Sequence, residues 1–320
     1  FAHECNEAKM NFDRVVLVTK STPLNGLIRS YGTLGQAKFI LEQTGNSIDN
    51  FVRYDDVYNR ALDNTRDVIS QHSKLAEVDS RFLSTYQFAP GSLVVTLGPD
   101  GLVANVAKYL HNQPIFAINA DPLTYDGVLA RNCWNNLFLA FLNPGQLKQK
   151  KLSMAEARTH DGQRLLAVND LFVGIEGHVS ARYVIEYEGR REFQSSSGII
   201  VSTGAGSTGW RRSVFEGAAG LLESVGQHDL ANELRGQYSF PAENRWISFS
   251  VREPFVSVSS KASIVHGGVA EGERLIIRSE MPTGGIVFSD GVPEDYLRFT
   301  SGTVVEIGVA ERFVTLLEAV

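Results

Sequence analysis

Along residues 12–145 the apolar positions switch between two spacings, and each switch predicts an element. RVVLVTK (14–20) is an unbroken β-branched run of the kind that a parallel strand buries on both faces. GQAKFILEQTG then carries Ala37, Ile40 and Leu41 at helical spacing, with Gly45 as its stop. Residues 55–78 are polar with recurrent apolar positions, which predicts another helix. SLVVTL (92–97) is a second strand, DGLVANVAKYL a helix with Leu102, Val103, Val106 and Leu110 on one side, and PIFAINA (114–120) a third strand. This alternation predicts an α/β domain with a parallel, Rossmann-like sheet. Ligands of such sheets bind beyond the strand carboxyl ends, where TLGPDG and INADP both fall.

Past NPGQLKQKK (143–151) the pattern turns to strands. RLLAVNDLFVG, ARYVIEYEG, REFQSSSGIIVST, RWISFSV, RLIIRSE, GGIVFSDGV and TVVEIGV all have strand character, with YEGRRE and SDGV as hairpin turns. One helix, WRRSVFEGAAGLLESVG, interrupts them. The proline, glycine and basic run of 143–151 predict a solvated linker at a domain boundary. The expected organisation is an α/β domain over 12–145 and a β-rich C-terminal domain over 146–305. The tail, 306–320, ends in ERFVTLLEAV, a strand or short helix that would return to the first domain.

Composition narrows the function classes. The chain has 320 residues, long for one core, and is 43% hydrophobic and 21% charged. Its formal net charge of −6 argues against a general grip on nucleic acid or an anionic membrane. No window approaches the roughly 18 consecutive apolar residues of a membrane span. The opening FAHECNEAKMNFD lacks the basic and apolar regions of a signal peptide, so a soluble, cytoplasmic protein is the expectation. Two cysteines, Cys5 and Cys133, and seven scattered histidines predict no zinc site and no other metal site built by the protein.

Three short stretches carry candidate chemistry. In TLGPDG, Gly98 and Gly101 would let backbone N–H groups approach a polyanion. The same letters also suit a type I turn with Pro99 second and Gly101 fourth, Asp100 capping the next helix. AVND sets Asn169 beside Asp170; alternate strand residues face opposite sides, so the pair either ends a strand or hydrogen-bonds a polyol such as ribose. GAGSTG (204–209) satisfies the G-x-G-x-x-G fingerprint, yet it lies in the β-rich half. The acid about 20 residues on, Asp229, sits in polar GQHDLANEL and not at a strand end. A nucleophile elbow around Ser207 is one residue out of register and would need Asp229 and His266 as partners, both in poor context. No GxxxxGK[ST] occurs.

In this order the segments resemble the NAD kinase family, which pairs an α/β domain with a β-rich one and is related to diacylglycerol and sphingosine kinases. The family's GGDG motif matches Gly98, Pro99, Asp100 and Gly101, and its NE/D motif matches Asn169 and Asp170. Its glycine-rich loop matches STGAGSTGW, with Ser202, Thr203, Gly204, Gly206, Ser207, Thr208, Gly209 and Trp210. The mitochondrial-type branch is nearest in its further segments: NADPLTYDG after a strand, SSG at 196–198, SVREP at 250–254 and a DG hairpin at Asp290 and Gly291.

The resemblance implies transfer of the γ-phosphate of ATP to the adenosine 2′-hydroxyl of NAD, giving NADP. Asp100 would stand beside that hydroxyl as general base or as an orienting, metal-linked acceptor. Gly98, Pro99 and Gly101 would line nucleotide phosphates, and Asn169 and Asp170 would bind ribose hydroxyls. Thr208, Gly209, Trp210 and Ser213 would line the dinucleotide, with Trp210 in place of the family's tyrosine. Arg211 and Arg212 would face phosphates or solvent. ATP and NAD are the implied ligands, Mg²⁺ comes with ATP on phosphate oxygens and water, and a dimer or tetramer is the implied assembly.

Pro99 is the departure, because the family has glycine there. A lost charge-assisted donor to phosphate costs about 1.5–3 kcal/mol. The alternatives are a superfamily kinase acting on another hydroxyl (sugar, polyol or lipid) and a catalytically impaired nucleotide-binding relative.

Overall fold

The computed structural model describes residue 12 and residues 14–319; the rest of the opening segment, Cys5 included, and Val320 lie outside the described residues. Two compact units divide the chain. One comprises the residues up to Lys150 and those from Thr315 on, the other Lys151–Val314.

The first unit is α/β. Its elements are β1 (Arg14–Thr19), α1 (Pro23–Tyr31), α2 (Leu34–Gln43), α3 (Asp49–His72), β2 (Lys74–Asp79), β3 (Leu93–Leu97), α4 (Asp100–Ala107), β4 (Ile115–Ile118) and the short α5 (Leu139–Leu142). The strands run parallel in the order β2-β1-β3-β4, and Leu316 and Leu317 of the last strand add beside β4, also parallel. Val15, Leu17, Leu93, Val95, Leu97, Phe116 and Ile118 build its core against Tyr58, Ala61 and Ile69 of α3. A strand covered on both faces can be apolar throughout, and β3 is buried at all five positions.

Two expectations fail here. Residues 55–78 are not all helix: α3 ends at His72 and the chain continues into β2. As an edge strand, β2 leaves several side chains partly or fully in water, so its sequence carries little apolar signal. Nor was α1 anticipated; Thr22 caps it by accepting the Asn25 N–H at 3.3 Å, and Pro23 opens it.

The second unit holds β5 (Leu147–Thr159), β6 (Arg164–Ala167), β7 (Asp170–Ile175), β8 (Ala181–Tyr187), β9 (Arg190–Ser196), β10 (Ile199–Ser202), α6 (Trp210–Ser224), α7 (His228–Gly236), β11 (Trp246–Val251), β12 (His266–Ala270), β13 (Leu275–Ser279), β14 (Gly285–Ser289), β15 (Val292–Arg298) and β16 (Val304–Ala319), whose first and last strands reach past it. An antiparallel sheet in the order β12-β11-β10-β7-β14-β15 forms one layer. Antiparallel pairing of β9, β8, β13 and the start of β16 forms the other. Val173, Val201, Phe249 and Val287 from the first layer meet Tyr183, Ile185, Ile277 and Val305 from the second in one core.

The basic run of 143–151 is not a linker: Pro144–Gln146 is a single 3₁₀ turn and LKQKK already belongs to β5. Both anticipated hairpin turns are present. Glu188 and Gly189, and Asp290 and Gly291, have positive φ at both central positions, as two-residue hairpins need. Polar GQHDLANEL, assigned no element in sequence, contributes to α7.

Candidate functional site

TLGPDG sits at the carboxyl end of β3, in the first unit. Gly98 has φ 151°, a backbone that side chains other than hydrogen rarely adopt, and its N–H donates to Ile118 O at 3.0 Å. The segment is not a type I turn. Pro99 is extended (φ −74°, ψ 166°) and is itself the N-cap of α4, so Asp100 is the first helical residue and not the cap. Proline excludes the α region for the residue before it, and Gly98 is the residue that can turn the chain there instead.

The Asp100 carboxylate is committed inside this unit. Oδ2 accepts the Val128 N–H at 2.9 Å, and Oδ1 accepts those of Leu129 at 3.0 Å and Ala130 at 2.8 Å. These three amides directly follow the NADPLTYDG loop, which Asn119 ties from its other side through Nδ2 to Tyr125 O at 2.7 Å. A Cβ on Gly127 would lie 1.9 Å from Ala130 O, so the loop closes tightly on glycine. The sequence brought forward both segments but not their joint; Val128–Ala130 donates through backbone, which leaves no residue-type signature.

In the second unit, RLLAVNDLFVG is not one strand. It breaks at Val168 and Asn169 between β6 and β7, and this break leaves Asn169 and Asp170 only partly buried. The glycine-rich loop packs directly on that break. Thr203 donates its N–H to Asn169 O at 2.9 Å and its hydroxyl to Val168 O. Ser202 donates its hydroxyl to Asp170 Oδ1. A Cβ on Gly206 would stand 2.2 Å from Asn169 O, and one on Gly204 2.1 Å from Pro241 O, so both glycines serve close backbone approach. Gly206–Thr208 forms a 3₁₀ turn, Gly209 caps α6, and Thr208, Gly209 and Ser213 are exposed around that helix start.

Trp210 opens α6 inside an aromatic cluster. Its ring stacks on Phe172 with centroids 5.4 Å apart and planes at 10°, Phe288 lies 6.5 Å away, and the Arg252 guanidinium is 5.4 Å from its centroid. Room for Phe172 comes from Gly198 of SSG, where a Cβ would meet the ring at 2.6 Å. SSG and SVREP are themselves paired, Arg252 N–H to Gly198 O at 2.8 Å. The aromatic partners Phe172 and Phe288 were not anticipated, because their alternation reads as ordinary strand.

Arg211 and Arg212 part company. Arg211 is buried, donates to Gln237 O at 3.1 Å and to Tyr238 O, and lies over the Phe215 ring at 4.2 Å, so it faces neither phosphate nor solvent. Desolvation lowers its pKa to about 10. Arg212 is exposed. The hydrolase constellation does not form: Ser207 donates its hydroxyl to Gly204 O at 2.7 Å, and His266 Nδ1 pairs with Ser250 Oγ at 3.0 Å.

Asp170 is the electrostatically unusual group. Burial raises its pKa, the Ser202 hydroxyl works against the rise and the Asp290 charge adds to it, leaving it at about 7. Among the described residues no group of three or more His, Cys, Asp or Glu could hold a metal ion. Nor is any helix among them long and apolar enough to cross a membrane.

No protein-family model matches the chain, and no curated protein matches it in sequence. Its structure is similar to that of an NAD kinase from Archaeoglobus fulgidus in complex with ATP, with 16% identity over 96% of this chain and 94% of that one and a TM-score of 0.52. It is also similar to yeast NADH kinase complexed with NADH, with 13% identity over 97% of this chain and 84% of that one and a TM-score of 0.57. Identities this low speak for architecture, and the chain has the fold of the NAD and NADH kinases: a mixed sheet with helices and a separate antiparallel sheet.

Proposed function

We propose that the chain is an ATP-dependent phosphotransferase of the NAD kinase type, moving the γ-phosphate of ATP to the adenosine 2′-hydroxyl of NAD and so forming NADP. The observation that carries this reading is the strand break at Val168 and Asn169, where a glycine-rich loop holds a partly buried polar pair on a fold shared with such kinases. Asn169 and Asp170 would take ribose hydroxyls, and Thr208, Gly209, Trp210 and Ser213 would line the dinucleotide. Ser202, Thr203, Gly204, Gly206 and Ser207 hold the loop and do not themselves react.

Asp100 would orient the acceptor hydroxyl. Its Oδ1 is shared by two N–H donors and its Oδ2 by one, so Oδ2 keeps a lone pair for a hydroxyl while the carboxylate is fixed in place. That suits an aligned acceptor better than a mobile base, and alignment with charge neutralisation is most of what phosphoryl transfer asks. Gly98, Pro99 and Gly101 would sit along the nucleotide phosphates. Pro99 is compatible with this loop: an N-cap needs no intrahelical N–H donor, the Leu102 N–H returns to Pro99 O at 2.9 Å, and the Asp100 and Gly101 amides of the first turn are the ones left to a phosphate. Among the described residues there is no acidic cluster for a resident ion, so Mg²⁺ enters this reading as part of the substrate, Mg·ATP.

Incubation with ATP, Mg²⁺ and NAD, with NADP read by a coupled dehydrogenase, should show turnover. Absence of NADP together with no thermal shift on adding NAD would sink the reading.

The raised pKa of Asp170 makes a second prediction. For folding, a raised carboxyl favours the protonated form, so this group's contribution to stability is full below the ordinary carboxylate range and is lost as pH rises through about 7. Binding has the opposite sign. A ribose hydroxyl donates best to the ionised form, so NAD affinity should climb as pH passes about 7, and Asp170→Asn should flatten both profiles. Calorimetric titration with NAD across that range checks it; an unchanged slope in the Asn variant would remove Asp170 from the site.

A further inference from the structure

Asp290 lies outside the residues assigned above to nucleotide binding, yet its carboxylate points at them. Oδ1 accepts the Asn169 N–H at 2.7 Å and the Asp170 N–H at 3.2 Å, and Oδ2 accepts the Val168 N–H at 3.0 Å. Its own N–H returns to Asp170 O at 2.9 Å. Three successive amides in the strand break are thus gathered on one side chain. The break needs such a partner: amides that leave a sheet ladder must be satisfied elsewhere.

The hairpin makes the reach possible. Ser289 pairs with Val292, which leaves Asp290 and Gly291 as a two-residue turn with φ 53° and 70°. That turn places Asp290 next to β7, whose Leu171 is in register with Ser289. Aspartate tolerates the left-handed backbone better than most residues and also supplies the short carboxylate, so the turn and the clamp ask for the same residue.

We propose that Asp290 is a positioning residue for the acceptor nucleotide: by collecting the Val168, Asn169 and Asp170 amides it holds the break open and aims the Asn169 and Asp170 side chains at the ribose. The mode of action repeats that of Asp100 in the other unit, where one carboxylate gathers Val128, Leu129 and Ala130. The inference rests on the reading of Asn169 and Asp170 as the ribose-binding pair. The groups that face Asp170 are the Ser202 hydroxyl from β10 and the Asp290 carboxylate from the β14–β15 turn, and the latter's charge contributes to the raised pKa of Asp170.

The test is Asp290→Asn in the full chain. An amide side chain keeps the size but offers an N–H to one of the three amides and carries no charge. KM for NAD should rise about tenfold, the worth of one charge-assisted hydrogen bond, while kcat stays near that of the unmodified protein. The pH midpoint of NAD binding should also move down, because a negative neighbour of Asp170 is gone. A merely structural residue would lower the melting temperature without moving that midpoint. Unchanged KM and midpoint in a folded Asn variant overturn the inference.

If that variant does not fold, amide exchange in the unmodified protein decides. The Val168–Asp170 amides should be protected without nucleotide, and fast exchange there overturns the clamp. Failure of the unmodified protein to bind NAD, with those amides protected, instead overturns the reading of the site and leaves the clamp standing.

Discussion

Asp100→Ala should abolish most phosphoryl transfer, with kcat down roughly 10²–10³-fold, the size seen when one preorganised polar group is removed from a transition-state site. The argument has two parts. On the proposed reading the acceptor hydroxyl would lose its partner at Oδ2, and Val128, Leu129 and Ala130 lose theirs together, which frees the segment that follows the NADPLTYDG loop. Leu129 and Ala130 are buried, so their amides cannot simply turn to water; each that stays dry costs about 1–3 kcal/mol. A lower melting temperature and faster amide exchange over 126–131 should accompany the loss of rate. Asp100→Asn separates the roles. An orienting acceptor survives in part, because the amide oxygen can still accept, whereas a general base is lost as completely as in the alanine variant. NADP formation by the Ala variant at the unmodified rate would remove Asp100 from the chemistry.

Gly206→Ala should disrupt the second unit's loop. The new methyl would lie 2.2 Å from Asn169 O and 2.5 Å from Asn169 C, both backbone atoms, so the glycine-rich loop or the Asn169–Asp170 break has to move. Overpacking of this kind costs about 1–3 kcal/mol, and displacement of the polar pair should weaken NAD binding at least about tenfold. Gly217→Ala is the matched control. It lies inside α6 with nothing within 4 Å of the new methyl, and should stabilise the protein by about 0.4–1 kcal/mol with activity unchanged. Thermal melts and KM for NAD read both variants; a Gly206→Ala protein matching the unmodified one in both would mean that the loop is not closed as described.

The parts of the fold that were legible share a physical trait. β1, β3, α4 and β4 sit at the centre of the first unit, where burial on two sides demands apolar residues and leaves a strong period. The parts that were missed lie at edges and surfaces. β2 is an edge strand and α7 buries Ala231 alone, so neither needs a long apolar face; α1 packs Leu24, Leu27 and Ile28 onto Ala37 and Ile48, but within only nine residues. The candidate site divides in the same way. Residue type alone left Asp100, Asn169, Asp170 and the glycine-rich loop open to turn, cap or strand-end roles; their order along the chain, which resembles that of the NAD kinase family, marked them as a site. The amides of Val128–Ala130 and the break inside RLLAVNDLFVG were not marked in this way, because backbone donors carry no letter of their own.

Pro99 shows the limit most clearly. Its letter suggested a turn and a lost phosphate donor; only the backbone angles place it at the helix N-cap, where its missing N–H has no intrahelical use. The sequence alone determined the α/β and β-rich halves, through periodicity that local propensity and burial enforce. Its resemblance to the NAD kinase family marked which acids and glycines to suspect. Tertiary structure alone decided what those acids do at rest: Asp100 and Asp290 each hold three amides of a segment distant in the chain, and such long-range pairing is set by packing and not by neighbouring residues.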